Sequence, residues 1–154
     1  MVTVVAVIGR KKSGKTTTTE FIVNNLVREG FKVGCLKHIH HQNFTFDTKG
    51  KDTWRFAQAG AEIVVGAATD EVAIMVKSKT LQNDLDQLLN LFGGRGLDFI
   101  ILEGFHTLVA ERKDIFKIIT AKDEEGLMTI LEGTLPPILA ITGLLASQGV
   151  FSTV

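Results

Sequence analysis

The chain has 154 residues, 17 basic and 17 acidic side chains, a formal net charge of zero, 45% hydrophobic and 22% charged residues. That is globular composition at the length of one domain, residues 1–154, and it excludes disordered, collagenous and coiled-coil classes. With no basic excess a general nucleic-acid binder is not expected, no apolar run reaches the roughly 18–20 residues of a membrane span, and the single cysteine, Cys35, fits a reducing cytoplasm.

Val2–Ile8 is an apolar, β-branched run without clean alternation, which predicts a central strand buried on both faces. A basic, glycine-bounded loop, Gly9–Gly14, follows. Lys15–Glu29 then reads as a helix with Phe21, Ile22 and Leu26 on its buried face and Gly30 as its stop. Thr16–Thr19 is a poor helical start by propensity, so something else must fix that turn. Lys32–Lys37 predicts a second strand, His38–Lys51 a polar loop, and Thr53–Ala59 a short helix ending at Gly60. Glu62–Ala68 and Glu71–Lys77 are strand-like and separated only by Thr69-Asp70, which implies an antiparallel hairpin at an edge of the sheet. Thr80 is a candidate N-cap for a helix over Leu81–Phe92, stopped by Gly93-Gly94. Asp98–Leu102, Ile115–Ala121 and Ile138–Thr142 complete the strands, with a short helix near Glu124–Leu131. The alternation predicts an α/β fold, a mostly parallel twisted sheet flanked by helices, with one antiparallel hairpin.

Gly9–Thr16 reads GRKKSGKT and matches GxxxxGK[ST] in full, with a buried strand before it and a helix after it. The glycines let successive backbone N–H groups turn inward toward a phosphate, and the helix N-terminus adds partial positive charge. In this pattern Lys15 reaches the β- and γ-phosphates and the Thr16 hydroxyl ligates magnesium. Ser13 and Thr17 complete the candidate phosphate contacts. Arg10, Lys11 and Lys12 are candidates for phosphate, or for a partner subunit's nucleotide; solvated charge on the outer side of the loop is the alternative.

Ligands of parallel α/β sheets bind at the carboxyl ends of the strands. Glu103 stands at that end of its strand and Asp98 at the other, so Glu103 is the expected catalytic and metal-shell carboxylate, orienting water or holding magnesium's water. The segment from Lys37 to Arg55 starts at a strand's carboxyl end. Within it Asp47 and Asp52 are candidates to approach the metal, directly or through water, and Arg55 to bind a phosphate or an acidic partner. His38, His40 and His41 either pack and hydrogen-bond beside the site or form a soft-metal site. Trp54 reads as an anchor of its short helix.

Together GRKKSGKTTTTEF, KHIHH, FDTKGKDTWR, AQAGA and LEGF resemble the molybdopterin-guanine dinucleotide biosynthesis protein B (MobB) family from about Val4 to Phe105. The resemblance implies a P-loop NTPase fold and a small Mg-GTP-binding protein with weak hydrolysis. It also implies a homodimer that assists the nucleotidyltransferase joining GMP to molybdopterin, in molybdenum or tungsten cofactor maturation. Carried over, Gly9, Gly14, Lys15 and Thr16 match the nucleotide loop, Asp47, Asp52 and Arg55 the middle motif, and Glu103 the strand-end acid. His106 stands where the family usually has lysine. Thr120-Ala-Lys-Asp123 holds the residue types of a guanine motif in another order, leaving Asp123 as the acidic candidate for the base. A small-molecule kinase on the same loop and a GTP-dependent metallochaperone using the histidines are the competing readings.

Overall fold

The structure, a computed structural model, describes residues 2–41, 44–78 and 80–147. Gln42 and Asn43 of the polar segment lie outside the described residues. The chain, read above as one domain, divides into two compact units, one over residues 1–38 and 89–154 and the other over residues 39–88.

In the first unit, strands β1 (Thr3–Gly9), β2 (Val33–Lys37), β5 (Phe99–Glu103), β6 (Phe116–Thr120) and β7 (Ile138–Thr142) form one parallel sheet in the order β2-β5-β1-β6-β7. Parallel pairing brings all five carboxyl ends to one edge. Central β1 carries the uninterrupted apolar run, and Ala6, Val7 and Ile8 are wholly buried. Helix α1 (Lys15–Arg28) lays Ile22, Val23 and Leu26 on Val5, Val7 and Ile101. Phe21, expected on that face, is 69% exposed. Helical spacing aligns positions 22 and 26 with 23 and leaves 21 about 100° off the stripe. The helix ends as foreseen at Gly30 (φ +89°), with Gly30 N–H donating to Val27 O and Phe31 N–H to Leu26 O, the two bonds of a Schellman motif.

At the opposite edge of the sheet, Asp98 accepts the Lys32 N–H at 2.8 Å, which ties β5 to the start of β2. Helices α4 (His106–Val109), α5 (Glu124–Leu131) and α6 (Leu144–Ser147) follow β5, β6 and β7. Lys117, in β6 between Ala6 of β1 and Ile138 of β7, has 0% exposure. Its ammonium donates to the Arg112 carbonyl, and desolvation lowers its pKa against the opposing pull of Asp114.

The second unit holds α2 (Asp52–Gln58) and the hairpin of β3 (Ile63–Ala67) and β4 (Val72–Val76). The hairpin forms its own two-stranded sheet, which corrects the expectation that it extends the main sheet. Its ladder is closed by its own chain, with Ala68 N–H to Glu71 O and Lys77 N–H to Glu62 O, both 2.8 Å. The helix expected over Leu81–Phe92 is broken into a 3₁₀ turn, Leu81–Asn83, and α3, Leu85–Asn90. Thr80 makes no side-chain cap; Asp84 accepts the Gln87 N–H at 2.9 Å and starts the helix four residues later than the sequence suggested.

Candidate functional site

The Gly9–Thr16 loop is pressed onto the end of β6. A Cβ on Gly9 would lie 2.3 Å from the Thr120 carbonyl oxygen, so no larger residue fits. The buried Ser13 hydroxyl is 2.6 Å from that of Thr120, which in turn donates to the Ile8 carbonyl. The turn after β7 supports the loop from beside it: at Gly143 (φ +106°) a Cβ would come 2.4 Å from Ala121 O and 2.9 Å from Ser13 O. Lys12 (φ +62°) and Gly14 (φ +98°) then turn the chain into α1. No side chain caps that helix end, so its first N–H groups are available to an anion, with the helix dipole behind them. This tertiary clamp accounts for a helix that starts at Lys15 and runs straight into four threonines, Thr16–Thr19.

Lys15 crosses the loop and donates to the Gly9 and Arg10 carbonyls at 3.0 and 2.8 Å. Burial lowers its pKa, Glu103 opposes that shift, and Lys37 adds to it. Arg10, Lys11, Lys12 and Thr17 are exposed. Arg10 pairs with Glu125 of α5 at 2.9 Å.

Glu103 sits where the strand-end rule puts it. In register, Val7, Glu103 and Lys37 lie level on β1, β5 and β2. The Thr16 hydroxyl donates to Glu103 Oε1 at 3.0 Å, and the Lys37 ammonium donates to both Glu103 oxygens at 2.8 and 2.9 Å and to Thr16 Oγ1 at 3.3 Å. Lys37 was missed as a site residue. The rule that selected Glu103 selects Lys37 as well, since both end their strands, but a lysine there does not match a metal-ligand pattern. Two neighbouring oxygen donors, one a carboxylate, suit a hard divalent cation that keeps several waters, so the residues fit magnesium.

Asp123, the candidate base contact, is the N-cap of α5: one carboxylate oxygen accepts the Gly126 N–H at 2.8 Å and the other lies 3.4 Å from Lys122. That backbone bond is the main cause of its lowered pKa. Asp47, Asp52 and Arg55 belong to the second unit. There Asp47 Oδ1 accepts from Thr48 N–H and the Thr53 hydroxyl, while its buried Oδ2 has no partner among the described residues. Asp52 and Arg55 form an exposed pair at 3.6 Å on α2, and Trp54 is half-buried on the same helix. His38 stacks on Phe105 at 4.8 Å, and no three His, Cys, Asp or Glu side chains gather as a metal site among the described residues. His106 Nε2 is 3.0 Å from the Thr134 hydroxyl. A cavity of about 520 Å³ beside α1 and β2 shares Thr16, Lys37 and Glu103 with the site and is otherwise walled by Val23, Val27, Leu36 and Ile101 among others. No helix among the described residues is long and apolar enough to cross a membrane.

Residues 4–138 match the family described as molybdopterin guanine dinucleotide synthesis protein B, well past the Phe105 limit read from the motifs. The chain is 37% identical over 123 residues to a putative molybdopterin-guanine dinucleotide biosynthesis adapter protein of Methanocaldococcus jannaschii, covering 80% of this chain and 49% of that one. It is 35% identical over 99 residues to the adapter protein of Haemophilus influenzae, covering 64% and 54%. The chain thus spans about half the length of these curated relatives. The crystal structure of Bacillus subtilis MobB is similar to it with a TM-score of 0.70 at 28% identity, over 90% of this chain and 78% of that one.

Proposed function

We propose a function from one premise: this chain belongs to the molybdopterin guanine dinucleotide synthesis protein B family. It is an adapter in molybdopterin guanine dinucleotide biosynthesis that binds Mg-GTP at the Gly9–Thr16 loop and hydrolyses it slowly. It works as a homodimer beside the nucleotidyltransferase that joins GMP to molybdopterin. The observation that carries this reading is the loop itself, with Ser13 and Thr120 bonded beneath it, Gly143 against it and Lys15 across it.

In this reading the loop N–H groups and the start of α1 cradle the phosphates, and Lys15 turns from the carbonyls of Gly9 and Arg10 to the β- and γ-phosphates. Thr16 and Glu103 hold magnesium, which when bound neutralises charge developing on the transferred phosphate. Glu103 also orients the attacking water. Asp123 can keep its cap bond while its second oxygen accepts from a guanine edge. Such an acceptor favours guanine, whose N1–H and N2 amine donate, over adenine, whose N1 is an acceptor and would face the carboxylate.

Calorimetric titration with GTP and ATP in magnesium tests the reading. GTP binds the native chain, and Lys15→Ala weakens it by at least about tenfold, or 1.4 kcal/mol, while the melting transition stays. Unchanged affinity in Lys15→Ala refutes the loop assignment. A small-molecule kinase remains the second reading, because the cavity touching Glu103 has room for an acceptor; acceleration of turnover by a small acceptor would select it.

A further inference from the structure

The Lys37 ammonium bonds both Glu103 oxygens and lies 3.3 Å from Thr16 Oγ1, the same donors that hold magnesium in the proposed function. We propose that Lys37 and the divalent cation compete for these oxygens, so that Lys37 sets the magnesium requirement of nucleotide binding. The inference rests on the nucleotide reading and deepens it.

Three features support the exchange. The Glu103 side chain is only 12% exposed and ends a central strand, so it cannot swing into water to serve two cations separately. The Lys37 side chain is 52% exposed and unbranched, so it can leave. The third is crowding: Lys15 already lies within electrostatic reach of both Glu103 and Lys37. A magnesium ion beside two ammonium groups and one carboxylate meets strong repulsion in a partly desolvated site. Lys37 keeps its proton when it leaves, and no bond is made or broken other than hydrogen bonds and metal coordination. With the metal bound, Glu103 keeps its charge balanced by the metal, and Lys37 is free to face solvent or the outermost phosphate. With little magnesium, the ammonium holds Glu103 and Thr16 in place and keeps the carboxylate from repelling an incoming nucleotide. Lys37 is therefore a positioning residue.

The test is binding of a fluorescent GTP analogue to the full chain, first in EDTA and then along a magnesium titration. The proteins are the native chain, Lys37→Met, Lys37→Gln and Lys37→Arg, each first checked for a cooperative melt. Removing the charge lowers the magnesium concentration at half-saturation by about tenfold in Lys37→Met and Lys37→Gln, whereas Lys37→Arg stays within about twofold of the native chain. An unchanged midpoint in the Met and Gln variants overturns the proposal. So does weaker binding in EDTA with an unchanged midpoint, which would make Lys37 a simple phosphate contact. If the native chain binds no nucleotide with or without magnesium, the nucleotide reading itself fails, and this one with it.

Discussion

Gly143→Ala asks whether the turn after β7 holds the loop in place. The new Cβ would meet only backbone: Ala121 O at 2.4 Å, Ser13 O at 2.9 Å and Ala121 N at 3.0 Å. Ala121 cannot yield easily, because its N–H donates to Thr142 O at 2.8 Å and its carbonyl accepts Leu145 N–H at 3.2 Å. A non-glycine residue at φ +106° costs about 1–3 kcal/mol. Shifting the turn puts two backbone hydrogen bonds at risk, each worth about 1 kcal/mol. The expected loss is about 3 kcal/mol or more, a fall in Tm of at least about 6 °C for a domain of this size. Gly30→Ala is the internal control. Gly30 lies in the same unit with φ +89° but with nothing within 4 Å of an added Cβ, so it carries the backbone cost alone, about 1 kcal/mol. Thermal and urea unfolding followed by circular dichroism compares the two. Gly143→Ala should also weaken nucleotide binding, because Ser13 belongs to the loop. Equal destabilisation by the two variants would refute the idea that close approach, rather than backbone conformation, fixes this turn.

Glu103→Gln keeps the side chain's shape and removes its charge, so nucleotide still binds while hydrolysis falls by at least about tenfold; Asp98→Asn, at the far end of β5, leaves turnover within about twofold, and single-turnover assays read both. Asp84→Ala removes the cap of α3 and costs about 1 kcal/mol, with faster hydrogen exchange at the Gln87 amide as its local signature. Asp114 is held down to about 2, first by its side-chain hydrogen bonds to Arg112. A depressed carboxylate contributes stability above its unfolded value of about 3.9 and loses it as pH falls toward 2. Its side chain is 63% exposed, so Asp114→Asn costs less than about 1 kcal/mol at pH 7 and nothing below pH 2, measurable in urea melts at several pH values.

The sheet was legible because its strands are short apolar runs cut by glycines and by helices whose apolar positions recur at helical spacing. The position of Glu103 beside the glycine loop was legible from strand direction alone. The errors have local causes. Phe21 was assigned inward by hydrophobicity, although Ile22, Val23 and Leu26 fill the stripe. Asp84 was overlooked as a cap because Thr80 stood closer to the start of the apolar pattern. The short link between β3 and β4 gave their pairing correctly but carried no information about which sheet they join. Lys37, Thr120 and Gly143 escaped because each acts through a residue distant in sequence: Glu103, Ser13 and Ala121. A lysine, a threonine and a glycine in those places are unremarkable until parallel pairing puts them at one edge. Asp47, Asp52 and Arg55 lie within nine residues of one another, and the contacts that can be assigned to them are with close neighbours in the chain.

Lys117 gives the molecule an internal clock for opening. Among the described residues it is the one lysine in the buried set, enclosed in β6 with its ammonium on the Arg112 carbonyl. An acylating reagent in water meets the surface amines first and reaches this one only when the chain that covers it on the face of the sheet, the Arg112 segment included, moves away. The pace at which Lys117 is acylated, read by mass spectrometry, then follows the opening of that cover. Ligands of the glycine loop that also tighten that cover would slow that pace, whereas ligands held by surface contacts alone would leave it unchanged.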